Sequence, residues 1–128
     1  MMNDNIELIL PFKADYVSAA RLVASGLANR IGFDIETIED IKVAISEVCS
    51  KIVRIGSKVA DTYKIVFNIS DKVLKVTFGC EDGSLKCIFD FENDQLAIDI
   101  INALMDSVEM CTENNYILSM SKELEEIV

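Results

Sequence analysis

The sequence contains no histidine. That absence removes Ser-His-Asp and Cys-His catalysis, and any phosphohistidine relay, from the chemistry open to this chain. Its four cysteines, Cys49, Cys80, Cys87 and Cys111, form no Cys-x-x-Cys pair, so the short clustered spacing of zinc ligands is also missing. Their neighbours are largely apolar, as in Val48-Cys49, Cys87-Ile88 and Met110-Cys111, and reduced thiols packed in the core are expected. No apolar run approaches the roughly 18 residues that cross a bilayer. The start, Met1-Met2-Asn3-Asp4-Asn5-Ile6-Glu7, lacks the basic stretch and apolar run of a secretory signal. A soluble, cytoplasmic protein without a membrane partner is the expectation. Bases are scarce too: 12 Lys and Arg stand against 22 Asp and Glu, for a formal charge of −10. Nucleic acid is bound by neutralising its phosphates with Lys and Arg, so direct nucleic-acid binding is not expected. An acidic surface suits solubility or a basic protein partner.

What is present is ample apolar material. With 128 residues, 51% hydrophobic and 27% charged, the chain is sized to bury a core as one globular domain spanning residues 1–128. No repeat, linker or low-complexity run divides it. Ile6, Leu8, Leu10 and Phe12 alternate as in a strand, with Pro11 near its end. Ala14 to Ile31 has helical spacing, with Tyr16, Ala20, Val23, Leu27 and Ile31 on one stripe and Gly32 as a stop. Asp34 is a candidate N-cap for a second helix, with Glu36 in its first turn. Ile38, Ile41, Ile45, Val48, Ile52 and Ile55 form that helix's buried side, and Gly56 ends it.

The period then changes to two. Tyr63, Ile65, Phe67 and Ile69 line one strand face, Asp71-Lys72 turns the chain, and Leu74, Val76 and Phe78 follow. Glu81-Asp82-Gly83 is a second turn signal, after which Leu85, Cys87, Phe89 and Phe91 alternate as another strand. A third helix is predicted over Asp94 to Ser107, with Leu96, Ile100 and Leu104 as its stripe and Ile101 and Met105 beside it. Two last strands, Val108 to Thr112 and Tyr116 to Ser121, meet across Asn114-Asn115. The order β-α-α-β-β-β-α-β-β predicts an α+β fold: a two-layer sandwich of a mostly antiparallel sheet with helices on one face.

Several stretches carry a family resemblance. They are Tyr16-Val17, Arg21-Leu22, Ser25-Gly26, Asn29-Arg30-Ile31-Gly32, and the long run Ile38-Glu39-Asp40-Ile41-Lys42-Val43-Ala44-Ile45-Ser46-Glu47-Val48-Cys49. Ala103-Leu104-Met105-Asp106-Ser107-Val108 adds a weaker match near the C-terminus. In these residues the chain resembles the anti-sigma-factor serine kinases, the RsbW-type family of the histidine-kinase/Hsp90-like ATPase fold. The resemblance implies a homodimer that binds a sigma factor or an anti-sigma antagonist, with Arg21 on the first helix touching the partner. Where the nucleotide site is kept, it also implies Mg-ATP and transfer of phosphate to a serine of the antagonist.

The family's nucleotide elements are altered here. Its second helix carries Glu-x-x-x-Asn, the Glu able to act as base and the Asn holding magnesium. Glu47 matches the first, while the second position is Lys51. A protonated lysine offers three donors and no acceptor, so its charge contacts a phosphate directly but does not ligate magnesium. Glu47 and Lys51 are also spaced as an ordinary i,i+4 ion pair. The family's adenine-binding Asp-x-Gly falls near Cys80, with Glu81, Asp82 and Gly83 following; the same residues also read as a hairpin turn. Glycines precede the third helix in the family so that amides approach the phosphates, whereas this chain has Asp94-Gln95-Leu96-Ala97 and no glycine after Gly83. Side chains there would crowd the phosphates, and Asp94 would add like-charge repulsion. The expectation is a protein-binding regulator with weak or lost ATP binding and no cofactor. The alternative is an active kinase using Glu47 as catalytic base.

Overall fold

A computed structural model describes residues 3–85, 88–90, 92–110 and 116–125. Among the described residues, five strands, β1 (Asp4–Pro11), β2 (Thr62–Ser70), β3 (Val73–Gly79), β4 (Ser107–Met110) and β5 (Leu118–Glu123), form one sheet in the order β1-β2-β3-β5-β4. Every pairing is antiparallel. The described residues also form the helices α1 (Val17–Ile31), α2 (Ile35–Gly56) and α3 (Gln95–Leu104). This is the α+β sandwich expected from the sequence, and alternation explains it. Leu10 lies opposite Tyr63, Ile65 opposite Phe78, and Val76 opposite Met120, so one pleated face is a continuous apolar layer. Glu7, Lys64 and Lys75 stand on the other face, exposed. Asp71-Lys72 makes the two-residue β2–β3 turn, with Ser70 and Val73 paired.

Residue chemistry sets the helix ends. Asp34 caps α2 by accepting from the Thr37 amide at 2.8 Å, a bond that also holds its carboxyl below the usual range. At the end of α1, Gly32 adopts φ 113°, and the amides of Gly32 and Phe33 both donate to the Ala28 carbonyl. That left-handed turn sends Phe33 back into the core. At the far end of α2, Gly56 lies beneath Phe12, which itself packs on Tyr63 with ring centroids 5.1 Å apart. A methyl group on Gly56 would sit 2.8 Å from Phe12 Cδ1, and the ring, buried and stacked, has little room to yield. Gly56→Ala is therefore expected to lower stability by about 1 kcal/mol, because overpacking outweighs the gain in helix propensity. Chemical denaturation of the two proteins checks this; an unchanged or higher midpoint would contradict it.

Several elements differ from the sequence expectation. The row of α1 against α2 is Ala20, Ala24 and Ala28, all fully buried, with Val23, Leu27 and Ile31 only flanking it. Tyr16 is 44% exposed and belongs to a short 3-10 turn, Ala14–Tyr16, before α1. Small side chains every fourth residue let the two helices approach closely, so the larger residues lie at the margins. On α2, Ile55 is exposed, and Ala44, Cys49 and Gly56 complete the buried side.

The alternation over Leu85 to Phe91 does not make a strand among its described residues: Gly83–Leu85 is a 3-10 turn, and residues 88–90 have no regular structure. Leu85, Ile88 and Phe89 are buried in the core. Both edges of β3 are already taken by β2 and β5, so such a strand has no place beside β3. Residues 86, 87 and 91, the Asn114-Asn115 turn and Cys111 lie outside the described residues. Helix α3 is shorter than predicted. It buries Ile98 and Ile101, whereas Leu96 is 76% exposed. Lys122 of β5 donates to the Leu104 carbonyl at 2.9 Å and ends it there.

Candidate functional site

Helix α2 carries the residues for which chemistry is expected. Its apolar stripe packs toward the sheet, which rotates Glu47 and Lys51, one turn apart, to a half-buried flank. The Lys51 ammonium does not pair with Glu47. Its Nζ lies 2.8 Å from Asp94 Oδ2, just before α3, with both side chains shielded at 13% and 12% exposure. Glu47 makes no hydrogen bond or ion pair with a described residue.

Asp94, expected to repel phosphate, also joins the two helices. The backbone amide of Asp90 donates to its Oδ2 at 2.8 Å. The Asp94 amide returns to the Asp90 carbonyl at 2.7 Å, and Asp90's own carboxylate accepts from the Glu92 amide and the Asn93 side chain. The Asp90 amide first, then the Lys51 ammonium, hold the Asp94 carboxyl below the usual carboxylate range, with Arg54 adding to the effect. Lys51 and Asp94 are remote in sequence, so no local signal links them.

The residues considered for adenine lie elsewhere, just past the end of β3. Cys80, Glu81 and Asp82 line a groove of about 730 Å³ together with Asp61, Thr62 and Lys64, and that lining includes neither Glu47 nor Lys51. The turn is real but is no hairpin. Asp82 Oδ1 accepts from the Ser84 amide at 2.9 Å and starts the Gly83–Leu85 turn, which lies against α2. Bonds from Ser84 keep the Asp82 carboxyl below its ordinary value, so that carboxylate is engaged by its own backbone. Arg21 is exposed on α1.

One buried group was not anticipated. Tyr63 is 1% exposed, and its hydroxyl has no hydrogen-bond partner among the described residues. Its polar neighbour is the fully buried Cys49, whose thiol burial pushes up to about 12; burial also raises the Tyr63 phenol. Both stay neutral and inert, so Cys49 is a core thiol. Tyr63→Phe is expected to raise stability by about 1 kcal/mol, since the hydroxyl is desolvated with only the Cys49 thiol, a weak hydrogen-bonding group, beside it. A melting temperature that falls would show that the hydroxyl is satisfied after all.

A family model described as the histidine kinase-like ATPase domain matches residues 10–122. The chain is 32% identical to the serine-protein kinase RsbW of Halalkalibacterium halodurans, over 95% of this chain and 85% of that protein. It is 31% identical to the serine-protein kinases RsbW of Bacillus thuringiensis and Bacillus anthracis, over 95% of this chain and 86% of each.

Proposed function

Since the chain belongs to the histidine kinase-like ATPase domain family and is similar to RsbW serine-protein kinases over most of its length, we propose that it is an anti-sigma-factor-like regulator that captures a sigma factor or an anti-sigma antagonist, with weak or lost ATP binding. Residues 1–128 act in it as one domain, in the cytoplasm and as a homodimer. It binds no nucleic acid directly. Arg21 contributes to the partner surface.

The observation that carries this proposal is the engagement of Lys51 by Asp94. The residues present do not fit a magnesium ion. One turn beyond Glu47, where the family resemblance calls for an oxygen ligand, stands an ammonium already bound to a carboxylate. The stretch before α3 supplies Asp94 in place of a glycine that would admit a phosphate. Glu81, Asp82 and Gly83 remain as candidates for an adenine contact, although Asp82 is engaged by Ser84.

The test is capture without nucleotide. The immobilised chain is expected to retain one sigma factor or one candidate antagonist from its own genome with a Kd of about 1 μM or tighter. Failure with every member of both classes would contradict the proposal. An active serine kinase is the alternative, and the unengaged Glu47 carboxylate is the observation in its favour. In that case Glu47→Ala would remove phosphate transfer to the antagonist without unfolding the protein.

A further inference from the structure

A carboxylate at the start of a helix usually accepts from that helix's own first amides, as Asp34 does for α2. Asp94 makes no such bond to α3. Its Oδ2 takes two donors from outside α3: the Lys51 ammonium at 2.8 Å and the Asp90 amide at 2.8 Å. The turn is wound around that oxygen. The Asp94 amide returns to the Asp90 carbonyl at 2.7 Å, and the Asp90 carboxylate fixes the Glu92 amide at 2.9 Å and the Asn93 side chain at 2.7 Å.

An ammonium and a backbone amide converging on one anionic oxygen is the donor set that proteins also present to phosphate oxygens. Here the chain supplies the anion itself. We propose that Asp94 is an autoinhibitory, built-in anion: its carboxylate fills a small anion site made by Lys51 and the Asp90 amide, and shuts that site to phosphate-bearing ligands. This rests on the weak or lost nucleotide binding proposed above and supplies a cause for it. A group tethered in this way acts at an effective concentration of about millimolar or more. A free phosphate with one ammonium and one amide to gain does not displace it. Once the carboxylate is gone, the shielded ammonium loses the anion it pairs with and is open to one from solution.

The test compares the full-length chain with Asp94→Ala and with the double variant Lys51→Met/Asp94→Ala. Each is titrated with inorganic phosphate at low ionic strength, followed by phosphorus NMR and amide chemical shifts. Wild type is expected to show no saturation up to about 10 mM, whereas Asp94→Ala saturates at least about tenfold more tightly and loses that gain in the double variant. Should Asp94→Ala fail to fold, Asp94→Asn serves instead, since it keeps an acceptor for the Asp90 amide while removing the charge. An alanine or asparagine variant that is folded and binds no better than wild type overturns the built-in anion, as does binding that survives loss of Lys51. A parallel titration with Mg-ATP separates the two proposals. Wild type silent to ATP, beside an Asp94 variant silent to phosphate, removes only the built-in anion; wild type that takes up ATP at micromolar concentration overturns both.

Discussion

Lys51→Met is expected to lower the stability of the protein by about 2 kcal/mol, which for a chain of this size is a fall in melting temperature of about 4–8 °C. Exposed ion pairs contribute about 0–1 kcal/mol, and breaking a fully buried one costs about 3–5 kcal/mol. At 13% and 12% exposure the Lys51–Asp94 pair lies between these limits. Methionine retains most of the apolar stem, so the loss reports the missing ammonium and the carboxylate left beside one amide. The pH dependence follows from the same contact. The Asp94 carboxyl titrates lower in the folded state than in the unfolded chain, first because the Asp90 amide donates to it and then because of Lys51. Its contribution is complete above the unfolded carboxylate value of about 3.9 and is lost as the pH falls through the folded value. Wild type should therefore lose stability on acidification below about pH 4 more steeply than Lys51→Met. Parallel acid profiles for the two proteins, or an unchanged melting temperature at pH 7, would show that the pair is only a surface contact.

Arg21→Glu is expected to weaken partner capture by about 100-fold or more, while Glu47→Ala leaves capture within about twofold. Arg21 is exposed on α1 and has no structural task in the core, so reversing its charge changes the surface and not the fold. An arginine at the centre of an interface contributes two or more kcal/mol, and a glutamate in its place adds like-charge repulsion if the partner meets it with a carboxylate. Glu47 lies on α2, half-buried and unengaged. Its replacement tests the chemistry, and Arg21 tests the surface. Equilibrium binding of both variants separates them. Capture that survives Arg21→Glu would move the partner surface elsewhere.

Helix α2 and the β2–β3 hairpin were legible in the sequence because their signals are local. Asp34 and Thr37 are three residues apart, the isoleucines repeat with the helical period, and Asp71-Lys72 separates two alternating runs. Helix α1 was legible in part: Ala20 is buried and Val23, Leu27 and Ile31 pack against the core as read, whereas Ala24 and Ala28 were missed and Tyr16 lies exposed. A hydrophobicity stripe favours Tyr16 and Leu27 over alanine, whereas close helix packing selects Ala20, Ala24 and Ala28. The stretch from Leu85 looked like a strand because alternation cannot tell whether a sheet edge is vacant, and β5, far along the chain, takes that edge. The same limit hid the site. Glu47 and Lys51 were visible as neighbours on one helix, but the partner of Lys51 is a non-local carboxylate. Tyr63 was placed on the buried face of β2, yet nothing in the alternation foretold that its hydroxyl would lie unpartnered beside Cys49.

The central claim is that a chain whose Lys51 is held by Asp94 has weak or lost ATP binding. Calorimetric titration of the purified chain with ATP in excess magnesium, repeated with ADP, tests it most directly. The predicted result is no saturable heat and no thermal stabilisation up to about millimolar nucleotide, since a ligand at 100 times its Kd would add about 2.7 kcal/mol. Saturable binding at micromolar concentration would contradict the account and make the serine kinase the better description of the protein.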